Sequence, residues 1–147
     1  MNAIRKIIAA TCVGEGSETI VMLHGGWGGE HSGFMAAVGD LKEQYHFVFY
    51  DQRGSLRSPS PDSSITFDRH VEDLELLRRE LNVEQLRLVG HSMGAVLASA
   101  YASKYPHRIK RLTLLAPAYL KNPIPEEDEE LHRQESLALK LSRTGRK

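Results

Sequence analysis

The chain predicts an α/β fold, a mostly parallel sheet with helices on both faces, on three observations. Its candidate strands, residues 19–23, 47–50 and 86–89, are near-continuous apolar runs, as strands covered on both faces are. Helical patterns separate them, which is the order of βαβ units. Every glycine-rich or reactive cluster follows the carboxyl end of such a run, where open α/β sheets bind their ligands.

Residues 3–13 are apolar enough for an edge strand or hairpin, closed by the turn residues Gly14-Glu15-Gly16-Ser17. Arg5 and Lys6 precede only a short apolar stretch, Ile7-Ile8-Ala9-Ala10, so a strand is expected there and not a secretory leader. Thr19-Ile20-Val21-Met22-Leu23 is a strand that stops at His24-Gly25-Gly26-Trp27-Gly28-Gly29. A helix is expected from near Ser32, because Phe34, Val38 and Leu41 fall at helical spacing. Phe47-Val48-Phe49-Tyr50 is the next strand, ending at Asp51-Gln52-Arg53-Gly54, and residues 55–64, with Pro59 and Pro61, read as a surface loop. A helix over 66–81 puts Val71, Leu74, Leu77 and Leu81 on one face and Asp68, Arg69, Glu72 and Arg79 elsewhere.

The run ending at Val89 feeds Gly90-His91-Ser92-Met93-Gly94, and Ala95, Ala98 and Ala102 then make a thin helix face limited by Pro106. Strand, Gly-x-Ser-x-Gly, helix is the context of a nucleophile elbow, a sharp turn that lifts a serine hydroxyl above the sheet. Outside that context the same five residues would be a glycine-flanked turn with a capping serine. Ser92 is therefore the candidate nucleophile, with glycines at 90 and 94 because a side chain at either would collide with the crossing strand or helix. Residues 109–115 give the last strand, ended by Ala116-Pro117. Residues 1–120 read as one core. Residues 121–147 read as a linker, Asn122-Pro123-Ile124-Pro125, and the start of a helical cap-like segment whose first turn is the acidic run 126–130.

Lys plus Arg and Asp plus Glu both number 19, so no net field draws the chain to nucleic acid or an anionic membrane. Cys12 is the single cysteine, which rules out an intrachain disulfide and makes a reducing, cytoplasmic setting the default. No stretch approaches the apolar length of a membrane span. The glycine turn lacks both Gly-x-Gly-x-x-Gly and a Gly-Lys-Ser/Thr ending, which argues against a nucleotide loop. No histidine and carboxylate set has metal-ligand spacing, and no cofactor is expected.

Acyl transfer also needs donors for an oxyanion. The Met93 N–H, aimed by the start of the following helix, is one. The second is expected from Gly26 of the glycine turn, with Trp27 as the alternative. Gly25, Trp27 and His91 are expected around the substrate. His91 adjoins Ser92 but points away along the turn, so packing is its role, and His24 supports the oxyanion turn. His31, His46, His70 and His107 read as helix-end or surface residues, and Asp51 as a cap of amides in its own turn. His132, with Asp128 or Glu129 before it, alone follows the serine in the order serine, acid, histidine, but an acid and base within one helical turn make a poor relay to a distant serine.

His24-Gly25-Gly26-x-Gly28-Gly29, Asp51-Gln52-Arg53-Gly54-Ser55-x-Arg57-Ser58 and Gly90-His91-Ser92-Met93-Gly94 resemble the α/β-hydrolase superfamily, and the first two resemble its proline iminopeptidase branch most. The pattern departs from that branch at Trp27, where proline is usual, at Leu56, where glycine is usual, and in the His-Ser-Met elbow. The resemblance implies the N-terminal portion of that fold and hydrolysis of a small ester, amide or short peptide through an acyl-serine. It also implies a triad acid and histidine on loops after later strands, beyond Lys147, so that this chain is incomplete as a catalyst. The strand over 109–115 would then leave an apolar edge open to self-association. The alternative of another class is a catalytically silent hydrolase-fold protein acting as an interaction module.

Overall fold

The computed structural model describes residues 9–26 and 28–118. Five strands form one sheet in the order β1-β3-β2-β4-β5: β1 (Ala10–Val13), β2 (Glu18–Leu23), β3 (Tyr45–Tyr50), β4 (Leu86–His91) and β5 (Ile109–Leu115). β1 runs antiparallel to β3, and the other three pairings are parallel. Of the expected N-terminal strand, residues 10–13 form β1 and residues 3–8 lie outside the described residues.

The helices α2 (Phe67–Glu80) and α3 (Met93–Lys104) share one face of the sheet. Val71, Leu74 and Leu77 of α2 and Leu97, Ala98 and Tyr101 of α3 bury against Val21, Leu23, Val48, Tyr50, Leu86 and Leu88. α2 begins where the Thr66 hydroxyl accepts the Arg69 N–H, an N-cap bond that satisfies one of the four unbonded donors of a first turn. On the opposite face Phe34, Met35 and Val38 cover Met22, Phe47 and Phe49. That layer corrects the helix expected from Ser32. It is a single turn, α1 (Ser32–Met35), followed by 3₁₀ geometry over Ala36–Glu43 that breaks at Gly39 (φ 46°, ψ −129°). The break turns Leu41 out to 49% exposure.

From β2 the chain moves to β3 through α1 on one face, then returns across β2 through α2 on the other face to reach β4. Such a reversal opens a crevice between the carboxyl ends of the two strands where it occurs. Those strands are β2 and β4, paired up to Leu23 and Gly90. Their next residues are His24 and Ser92's elbow, so topology alone brings the two glycine motifs together.

A candidate active site at the ends of β2 and β4

Ser92 sits between β4 and α3 at φ 53°, ψ −120°, a conformation that costs a non-glycine residue on the order of 1–3 kcal/mol. Hydrogen bonds on both sides hold it there: its N–H donates to Leu115 O at 3.0 Å, and its carbonyl accepts from Ala95 N–H at 3.0 Å and Ala118 N–H at 3.3 Å. The neighbouring glycines are required by close crossings. A Cβ on Gly90 would lie 2.5 Å from Gly94 O, and one on Gly94 would lie 2.3 Å from Leu23 O. Met93 is the first residue of α3, so its N–H has no intrahelical acceptor and points out of the positive end of the helix.

The glycine turn passes directly over this elbow. A Cβ on Gly25 would come within 2.9 Å of Ser92 Cβ and 3.0 Å of His91 Nδ1. Gly26 follows, exposed, at φ +72°. Trp27 lies outside the described residues, as do Asp128, Glu129, His132 and the linker with its cap-like segment. Gly25, Gly26, His91 and Ser92 line one cleft of about 330 Å³ together with His24, Glu30, Gly33 and Phe34. A larger hollow of about 510 Å³ lies at the amino ends of β4 and β5, among Arg78, Arg79 and Arg108. Arg78 and Arg79 are both bonded to Glu75, and that hollow contains none of the motif residues.

The burial of two histidines departs from the sequence reading. His24 is buried and committed at both nitrogens, Nδ1 donating to Gly25 O at 3.1 Å and Nε2 accepting from Gln52 N–H at 3.3 Å. Burial holds its pKa below the ordinary histidine value, so it is neutral in this setting. His91 is exposed, with its ring tilted against Phe34 at 5.8 Å. His46 and His107 are partly or fully exposed, as expected. His31 and His70 stand at helix starts, as the N-cap of α1 and in the first turn of α2, but are buried there and are not surface residues. His31 is 1% exposed and His70 3%. His70's pKa is lowered by that burial.

Asp51 likewise departs from the expected cap of its own turn. Its Oδ1 accepts the backbone N–H of His31 at 2.9 Å and faces His31 Nδ1 at 2.5 Å, while Thr11 Oγ1 lies 2.9 Å from His31 Nε2. A carboxylate with no exposure needs such donors, and its own turn is already closed by Ser55 N–H to Gln52 O and by Ser58 Oγ to Asp51 O. Arg53 leaves that turn for α2, pairing with both carboxylate oxygens of Asp73 at 2.6 and 2.7 Å. The pair raises the guanidinium pKa further. Glu30, which the sequence reading did not single out, lines the cleft. Bonds from Ser32, then burial against it and the nearby Arg57, leave its carboxyl below the usual range.

The arrangement offers a strained serine, a helix N-terminus beside it and a glycine turn above it. It offers no metal site, since no group of three or more potential ligands occurs among the described residues.

The family model described as the alpha/beta hydrolase fold matches residues 18–144. A probable lysophospholipase, BODYGUARD 2 of Arabidopsis thaliana, is 42% identical over 84 residues, 56% of this chain and 18% of that protein. A proline iminopeptidase of Heyndrickxia coagulans is 32% identical over 116 residues, 78% of this chain and 40% of the relative. Among solved structures, a marine microorganism esterase superposes with a TM-score of 0.75 at 27% identity, covering 91% of this chain and 51% of the esterase. The chain thus spans about half or less of the length of these proteins.

Proposed function

This chain belongs to the α/β hydrolase fold family, and on that premise we propose that it contributes the nucleophile and the oxyanion site of a serine hydrolase acting on a carboxylic ester or amide. The observation that carries the reading is the contact of Gly25 with Ser92, which brings the glycine turn and the first turn of α3 onto one atom's surroundings. In the step, Ser92 Oγ forms a bond to the substrate carbonyl carbon and passes its proton to a base outside the described residues. That base returns it to the leaving oxygen or nitrogen as that atom's bond to the carbonyl carbon breaks. Met93 N–H and Gly26 N–H, or Trp27 N–H in its place, receive the oxyanion. Gly25 and His91, which line the cleft, would contact the substrate, with Trp27 as a further candidate from the sequence. The lysophospholipase, iminopeptidase and esterase names of the similar proteins support ester or peptide chemistry without choosing between them.

Among the described residues no histidine is placed as the base. Both His24 nitrogens are taken, His31 is held by Asp51 and Thr11, and the His91 ring rests on Phe34. The reading therefore assigns the nucleophile and the oxyanion donors to this chain. It leaves the proton transfers of acylation and of water activation to a base outside the described residues, a demand that an activated ester with a good leaving group relaxes. With p-nitrophenyl acetate it predicts a Ser92-dependent release of at most one p-nitrophenol per chain, absent in Ser92→Ala. Release that is identical in the two proteins contradicts it.

A second reading rests on β5, whose only strand neighbour among the described residues is β4 and whose Leu115 is 41% exposed. A silent hydrolase-fold module would associate through that edge. It predicts a concentration-dependent dimer by sedimentation and no Ser92-dependent release. Cys12, exposed and the single cysteine of the sequence, supports the reading of a reducing, cytoplasmic compartment, and no helix among the described residues is long and apolar enough to cross a membrane.

A further inference from the structure

Both ends of the glycine turn are fastened to two consecutive residues, Asp51 and Gln52, at the carboxyl end of β3. At the near end, Gln52 Nε2 donates to His24 O at 3.0 Å while Gln52 N–H donates to His24 Nε2. At the far end, Asp51 Oδ1 takes the His31 N–H and faces the His31 ring nitrogen, which donates because a carboxylate oxygen only accepts. All four side chains are at least 97% buried, with His31 stacked on Phe49 at a centroid distance of 6.2 Å. None of Asp51, Gln52 and His31 lines the cleft. Between the two anchors, no backbone–backbone bond outside the strands holds residues 25, 26, 28, 29 or 30 to another described residue. The side chains therefore carry the fastening.

We infer that Asp51 and Gln52 are positioning residues for the oxyanion turn: they clamp His31 and His24, and so set the height of the Gly26 N–H over Ser92 from the neighbouring strand β3. The inference rests on the acyl-serine reading above. Glycines at 25, 26, 28 and 29 allow the turn to approach Ser92 closely, but they also leave it the most freedom of any residue type. A donor misplaced by about 1 Å loses much of its effect on a developing charge. An acidic residue followed by a primary amide supplies the two kinds of anchor needed, an acceptor for the His31 donors and a donor for the His24 carbonyl.

The test combines ¹⁵N relaxation of Gly25, Gly26, Gly28 and Gly29 with the rate at which an alkyl p-nitrophenyl methylphosphonate labels Ser92. In Asp51→Ala the glycine order parameters fall from about 0.85 to below about 0.6 while β2 and β4 keep theirs. Labelling slows about 100-fold, the scale of one lost oxyanion donor. Asp51→Asn keeps an oxygen facing both His31 donors, so it retains the order parameters and labels within about tenfold of wild type. Gln52→Ala removes one neutral hydrogen bond and loosens Gly25 and Gly26 first, which keeps the test available if Asp51→Ala does not fold. Unchanged order parameters in both alanine variants, or a loosening spread evenly through β2 and β4, overturn the clamp. A wild-type chain that takes no label at Ser92 rejects the acyl-serine reading, and the order parameters then decide the clamp alone.

Discussion

Glu75 is a buried carboxylate whose removal tests how α2 holds α3, the helix that begins at Ser92. It is 4% exposed and accepts four bonds: from Arg78 Nε and Nη2 at 2.9 and 2.8 Å, from Arg79 Nε at 3.0 Å and from the Tyr101 hydroxyl at 2.7 Å. These donors, the Arg78 pair foremost, outweigh burial and hold its pKa at about 2 against an ordinary 4.5. Its own burial, and then the same contact, push the Tyr101 phenol up. By linkage, a carboxyl held at about 2 contributes about 3 kcal/mol at pH 7. The contribution is fully present above 4.5 and is lost as the pH falls through 2. At pH 3 about 1.4 kcal/mol of it remains.

Glu75→Ala leaves the Arg78 guanidinium, 8% exposed, with only the Val83 and Glu84 carbonyls, and leaves the Tyr101 hydroxyl, on a residue with no exposure, without its acceptor. Breaking one side of such a buried pair costs about 3–5 kcal/mol. Urea unfolding of the two proteins at pH 7 and pH 3 reads both quantities. The expected gap is about 3–5 kcal/mol at pH 7, narrowing by about 2 kcal/mol at pH 3. A gap under about 1 kcal/mol at pH 7, or one of equal size at the two pH values, refutes the reasoning.

Packing and pairing around α2, α3 and Arg53 set three further outcomes. Gly94→Ala places a Cβ 2.3 Å from Leu23 O and 2.6 Å from His24 O, both backbone atoms, and should destabilise by about 3 kcal/mol or more in the same urea assay. Arg53→Lys gives up the two-point contact with Asp73 and should lower stability by about 1–2 kcal/mol, seen as a reduced Tm, because an ammonium cannot match both carboxylate oxygens in plane. Leu74→Ala empties a site with no exposure between α2 and the sheet and should cost about 2–5 kcal/mol with an unchanged denaturant slope.

β2 and β3 are legible because burial writes itself into continuous apolar runs. β5 coincides with the 109–115 reading although it carries Lys110, Arg111 and Thr113 and has no buried residue, and the elbow strand, read over 86–89, runs on to His91. The helix from Ser32 is not legible, since Phe34, Val38 and Leu41 keep the period while the backbone of Gly39 breaks it. On α2, Val71, Leu74 and Leu77 share the apolar face that the period predicts, but nothing in a 3.6-residue period says that Glu75 and Arg78 are buried as well. They are covered by Tyr101, which lies 26 residues further on from Glu75. The same holds at the site. Ser92 announces itself through its flanking glycines, whereas the pairing of His31 with Asp51 joins a loop to a strand end with no local signature. Glu30 and Phe34 reach the cleft only because the turn folds back over Ser92.

We propose Ser92 as a nucleophile beside oxyanion donors from the first turn of α3 and the glycine turn. The most direct test is the intact mass and peptide map of the chain after exposure to a fluorophosphonate, beside Ser92→Ala. The account predicts one phosphonyl adduct, on the peptide carrying Ser92, that is missing from the variant. An adduct of equal yield in Ser92→Ala, or none in a folded wild-type chain, would contradict it.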